Sequence, residues 1–265
     1  MLALVPFVLV GLFSLPLETR RALVFDYTDP SLRTAFVSSF VHLDGTHLLV
    51  NLVTYGLVVP LAFLLSVANH HRQRFYTVFL TFVVVLPVVL SYMNLAILRS
   101  SVAFGFSGVV MAFAGYLSVA LADAVDVHFD LGPRTSVAPM LFFLTFGVIS
   151  VLSVQSVVPD NATVFLGTSG LVIATLLSAL LYAVSISQRE SGFVRKARNA
   201  VGVSGYFELV VVSLVLVFAL PFVAFPADPT FGDGSVNLYV HLLGYALGFL
   251  VPYVTSELET RLIDA

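Results

Sequence analysis

Apolar residues run along this chain in long blocks with no alternation, and short polar stretches cut the blocks apart. The blocks fall at Leu2 to Leu17, His47 to Ala68, Phe75 to Leu98, Ser107 to Ala122, Val137 to Val158, Val164 to Ser187, Tyr206 to Phe225 and Val236 to Val254. Each holds roughly 16 to 25 residues, the length a helix needs to cross a hydrocarbon core of ~30 Å. Strands of a membrane barrel would be shorter and would alternate. The pattern predicts a polytopic all-α transmembrane bundle of about eight helices, a single domain over residues 1–265. Pro60, Pro87, Pro221 and Pro252 kink or end helices without changing that count. No basic residue precedes the first block, which therefore reads as a retained helix and not a signal peptide. Glu18 to Thr46 reads as a long mixed loop whose apolar patch, Ala35 to Val41, is expected half in the membrane interface.

Composition agrees with this class. Hydrophobic residues make up 59% of the chain and charged residues 10%, with a mean hydropathy of +1.03, far from the balance of soluble domains. The net charge of -3 is scattered and no basic run occurs, so nucleic acid is not an expected partner. Cysteine is absent, which excludes disulfides, thiolate nucleophiles and thiolate metal sites. No HExxH, intramembrane carboxylate pair or P-loop is found, so no metal or other cofactor is expected.

Basic residues predict the orientation. Counted over alternating loops, eight (Arg72, Arg74, Arg134, Arg189, Arg195, Lys196, Arg198, Arg261) lie on one side and four (Arg20, Arg21, Arg33, Arg99) on the other. The richer side is expected to be cytoplasmic. Both termini then lie inside, as in a multi-pass protein of the cell membrane. The long first loop faces out, with the turns around Arg99, Asp160 and Asp228 to Asp233 and the sequon Asn161-Ala162-Thr163.

On this topology three polar residues share one depth. His47 opens the second helix, Ser107 the fourth, and His241 lies near the start of the eighth; all three helices run from outside to inside. Ser107 stands in Gly105-Phe106-Ser107-Gly108. There, glycines admit a close backbone, and the free N–H groups of a first helical turn favour an oxyanion. Asn51 follows His47 by four residues and shares its face, with Tyr55 one turn deeper. An amide facing lipid is costly, so Asn51 is expected to point inward. His241, Gly244 and Gly248 line one face of the last helix, where the glycines permit the close approach that a Ser–His hydrogen bond needs. A serine at a helix start, an imidazole and an Asn/His donor pair form the constellation of a nucleophilic hydrolase. Small residues at such positions also serve plain helix packing, and interfacial histidines also cap helices. His42 reads as an organiser of the outer loop, and His70, His71 and His128 as residues of cytoplasmic turns.

These segments resemble the rhomboid intramembrane serine proteases. His42-Leu43-Asp44-Gly45-Thr46-His47-Leu48-Leu49-Val50-Asn51 is similar to that family's H-x4-H-x3-N segment. Gly105 to Gly108, continuing to Gly115-Tyr116, is similar to its G-x-S-G serine helix, and His241-Leu242-Leu243-Gly244 to its H-x-x-G. The resemblance implies a rhomboid-like core in which Ser107 is the nucleophile and His241 its general base. It implies His47 and Asn51, with Ser107, as oxyanion support, and Gly105, Gly108 and Gly244 as supporting positions. Catalysis would be by a Ser-His dyad, without a carboxylate. The substrates would be transmembrane segments of other membrane proteins, cut near the outer face where Gly, Pro or polar residues loosen the helix. Departures are Met111, where the family often has an aromatic ring, and Val240, where a small residue is common. Leu32-Arg33 stands where the family has Trp-Arg. Three helices separate Ser107 from His241 instead of one, so two helices look inserted. A second motif, Gly167-Thr168-Ser169-Gly170, makes Ser169 a competing nucleophile, although the residues after Ser107 continue the family pattern further. Two other readings stay open: a catalytically silent rhomboid-like protein that binds membrane clients, and a small-solute transporter whose polar cluster lines a path.

Overall fold

The computed structural model describes residues 1–97, 101–156, 162–189, 192–226, 228, 230–231 and 234–263. Arg99, Asp160, Asn161 and Asp233 lie outside the described residues. The helices are α1 (Leu4–Phe13), α2 (Leu17–Arg21), α3 (Leu32–Val37), α4 (Gly45–Ala68), α5 (Arg72–Val84), α6 (Leu86–Asn94), α7 (Ser107–Phe129), α8 (Arg134–Ser156), α9 (Ala162–Arg189), α10 (Phe193–Ala200), α11 (Tyr206–Ala224) and α12 (Leu238–Ile263).

Six of them, α4, α7, α8, α9, α11 and α12, are long and apolar enough to cross a membrane, the make-up of a multi-pass membrane protein. The third apolar block forms α5 and α6, bent by 46°. Pro87 stands in the first turn of α6, where it supplies no N–H to the preceding turn. The first block forms a helix of only 10 residues, ~15 Å of rise or about half a bilayer. It lies along the opening half of α4: Phe13 is beside Gly45, and the Tyr55 hydroxyl donates 2.8 Å to the Leu2 carbonyl.

α7 is the axis of the bundle. Every residue from Gly108 to Ala124 is buried, because α4, α5, α6, α8, α11 and α12 all pack around it. Its closest partner is α12. A Cβ on Gly244 would collide with the Gly108 carbonyl, one on Gly248 with the Ala112 backbone, and one on Gly115 with the Tyr245 carbonyl and the Phe249 amide. Glycines on both helices thus bring two backbones into direct contact, the usual basis of close packing where lipid tails are as apolar as the side chains. α9 packs mainly on α8, and its exposed face carries Phe165, Leu166, Ile173, Leu177 and Leu181, suited to lipid.

The two ends of the bundle differ in chemistry. The end where α4, α7 and α12 begin is the serine end. The opposite, arginine end carries a buried ionic network: Asp123 of α7 pairs with Arg74 and, at 3.7 Å, with Arg134. Arg134 also pairs with Glu257 and donates 3.0 Å to Ser256. Shared partners let these charges be buried at tolerable cost. At the serine end the long first loop folds over the bundle. Ala35 to Val41 packs on α6, with Ser91 donating 2.8 Å to the Ala35 carbonyl and Ala35, Phe40 and Val41 buried. Two-residue strands β1 (Phe25–Asp26) and β2 (Val102–Ala103) pair antiparallel and tie this loop to the segment ahead of Ser107. A second small pair, β3 (Thr230–Phe231) and β4 (Gly234–Ser235), lies ahead of α12.

Glycine contact predicts a pair of opposite outcomes. Gly248→Ala forces the α7–α12 backbones apart and should cost about 2–3 kcal/mol. Gly167→Ala, whose Cβ meets nothing within 4 Å, should be neutral or stabilising by up to about 1 kcal/mol. Thermal melting of both variants in detergent checks the difference.

Candidate active site

His47, Ser107 and His241 each fall in the opening turn or just beyond it at the serine end, and local chemistry starts each helix there. Asp44 caps α4, its carboxylate accepting 2.9 Å from the His47 amide. Asn237 caps α12 in the same way, accepting 3.2 Å from the Val240 amide. α7 has no side-chain cap on Phe106. Its entry is shaped by Gly105, whose φ of +102° suits glycine, and where a Cβ would run into the His47 ring.

The first turn of α7 borders a cavity of about 40 Å³ lined by Ser38, Ser91, Asn94, Gly105, Ser107, Gly108, Val109 and Val240, among others. It has room for a few water molecules. Ser107 is half-buried. Among the described residues, the amides of Ser107, Gly108 and Val109 have no backbone acceptor, whereas the Gly105 amide donates 3.0 Å to Ser38 and the Phe106 amide is taken by His42. Three free donors at the positive end of a long helix suit an anion that develops beside the serine.

His241 is buried and anchored through its backbone neighbours. Its Nδ1 donates 2.7 Å to the Ala224 carbonyl at the end of α11, which leaves Nε2 as the nitrogen with a free lone pair. The Phe225 ring meets the imidazole edge-on, 6.0 Å between centroids. The aromatic neighbour of the histidine therefore comes from the residue that follows α11 and not from position 111. Met111 is buried against Gly244.

The helices of Ser107 and His241 touch where Gly108 meets Val240 and Gly244. Among the described residues, Ser107 Oγ makes no hydrogen bond to His241. Asn51 is buried as its spacing required, but its amide donates 2.9 Å to the His47 carbonyl of its own helix. The His47 ring lies over Gly105 and meets His42 edge-on at 4.9 Å. Ser169 is not brought to this site: a Cβ on Gly167 or Gly170 would meet nothing within 4 Å, and α9 packs mainly on α8.

Three residues of the site are not singled out by the sequence reading. Asn94 and Asn237 both line the cavity, and both donate to the Tyr27 hydroxyl, Asn237 at 3.3 Å. Tyr27 is held by a 3.2 Å bond from its amide to the Ser101 carbonyl. Asn237 was legible as a cap at the opening of the last apolar block and Asn94 as an isolated amide inside the third. Tyr27 carries no sequence signal.

His42 fixes the turn from below. It is fully buried, and its Nε2 accepts from the Phe106 amide at 3.4 Å. Arg20 in turn holds the His42 carbonyl at 2.7 Å. Burial, reinforced by the neighbouring His47, pushes the His42 imidazole down to about 3. The folded protein therefore keeps His42 neutral while the unfolded chain protonates it below ~6.5. Its contribution is complete above that pH and is lost as pH falls toward the folded value, at ~1.4 kcal/mol per unit. Melting curves taken from pH ~7 to ~5 should fall more steeply for wild type than for His42→Gln, which keeps an acceptor for Phe106 but does not titrate.

No protein-family model, no curated protein and no solved structure matches this chain.

Proposed function

We propose that this chain is a rhomboid-type intramembrane serine endopeptidase that cuts transmembrane segments of other membrane proteins near the serine end of the bundle. The observation that carries the reading is the first turn of α7. Ser107 stands beside a small cavity with three unused amide donors, and glycine contact holds the His241 helix against that same turn.

In the proposed reaction Ser107 Oγ bonds to the scissile carbonyl carbon as His241 Nε2 takes the hydroxyl proton. The carbonyl oxygen becomes an anion facing the amides of Ser107, Gly108 and Val109, with His47 and Asn51 as side-chain support. The C–N bond then breaks, His241 protonates the leaving amine, and a water hydrolyses the ester by the same path in reverse. The Ala224 carbonyl does the orienting work that a carboxylate does in a triad. The core would comprise α1, α4, the bent α5–α6, α7, α11 and α12. α8 and α9 would then be the two additional helices, a reading supported by their packing on one another while α11 supplies the partner of His241. The serine end would face outward and the arginine end the cytoplasm, in the cell membrane.

One observation favours a second reading, a silent protein that binds membrane clients: Ser107 and His241 are not hydrogen-bonded. Cleavage of a single-span substrate in liposomes separates the two. The protease reading predicts cleavage by wild type and Ser169→Ala, and a loss of at least ~10³-fold in Ser107→Ala and His241→Ala. A folded wild type that cuts no member of a panel of unstable helices, or loss only in Ser169→Ala, overturns it.

A further inference from the structure

At the arginine end, α10 lies between two spans that reach the same face, the end of α9 and the start of α11. The connections on either side are short, so α10 stays close to the ends of both spans. Its inner face is anchored to the bundle. Ala200 is buried, Lys196 pairs with Asp130 of the α7 cap at 2.7 Å, and Tyr206, just beyond, stacks on His128 with 4.0 Å between centroids. The outer face is different. Val194 and Val201 are 81% and 61% exposed and lie seven positions apart on one stripe, with Arg198 between them and Arg195 alongside.

The helix itself, Phe193 to Ala200, contains no acidic residue. Among the described residues neither Arg195 nor Arg198 forms an ion pair, and the Arg195 guanidinium lies back over Gly192 at 3.5 Å from where a Cβ would sit. Two exposed valines flanked by two exposed guanidiniums that pair with no described carboxylate are the composition of an in-plane helix. Its apolar tips enter the acyl boundary while the arginines reach back to headgroup phosphates.

We infer that α10 is an in-plane anchor whose Val194 and Val201 enter the bilayer surface while Arg195 and Arg198 bind anionic lipid headgroups. Lys196 takes no part, because Asp130 already neutralises it. The inference is independent of the catalytic reading, since neither arginine approaches the serine end.

The chain contains no tryptophan, so Val194→Trp provides a single fluorescent reporter on an exposed position. In phosphatidylcholine liposomes carrying a fixed minority of brominated lipid, quenching by brominated phosphatidylglycerol is compared with quenching by brominated phosphatidylcholine. The anchor predicts quenching by both, with an anionic preference of ~5-fold per arginine that high salt weakens. Adding Arg195→Gln and Arg198→Gln should bring the preference to about one, and Arg195→Lys with Arg198→Lys should keep most of it. Both positions are exposed, so these variants are expected to fold. Equal quenching by the two lipids overturns the headgroup assignment. Quenching by aqueous iodide and by neither lipid overturns the anchor altogether.

Discussion

The contact between α7 and α12, backbone against backbone, is the constraint on which the rest of this structure depends. Between helices in lipid there is no hydrophobic gain to drive association, so shape and close packing must supply it. Gly115 and Ala112 on one helix and Gly244 and Gly248 on the other remove every side chain that would hold the backbones apart. α7 can then be buried along nearly its whole length with the remaining helices around it. The same contact has a chemical result: Ser107, one residue before the crossing, and His241, within it, come from distant parts of the chain to one end of the bundle.

Charge is arranged to suit that end. At the serine end the buried His241, Asn51 and His42 side chains are hydrogen-bonded to backbone, His241 to Ala224, Asn51 to His47 and His42 to Phe106. The buried ionic groups gather at the other end, where Asp123 has Arg74 and Arg134 as partners. Buried charges tolerate such a place only when paired. Keeping them away leaves the amide dipoles of the first α7 turn as the main local field beside Ser107. A backbone carbonyl orients the histidine without adding a negative charge to the site.

What the sequence made legible was what depends on local pattern. Long apolar blocks marked most of the spans, and the polar turns gave the alternation of direction from which His47, Ser107 and His241 could be assigned one depth. The glycines of α12 announced a close approach. Features that depend on which helix meets which were not legible. The partner of His241 is a main-chain oxygen, which no motif records. Its aromatic neighbour is Phe225, just past the end of α11, while Met111 occupies the position four residues after Ser107. Asp123 falls just past the apolar block ending at Ala122 and reads as the start of a cytoplasmic turn. Only the continuation of α7 to Phe129 buries it. Likewise the first block is long enough in sequence for a span, yet forms only Leu4–Phe13 before Pro16 and the short α2 redirect the chain.

In the proposed protease, Ser107 is a hydroxyl made nucleophilic by His241. Covalent labelling by a serine-directed phosphonate probe, with the adduct located by peptide mass spectrometry, tests it without any assumption about substrate. The proposed dyad predicts one adduct, on Ser107, formed by wild type and Ser169→Ala and abolished in His241→Ala. Folded wild-type protein that takes up no probe, or that carries the adduct on another serine, would contradict it.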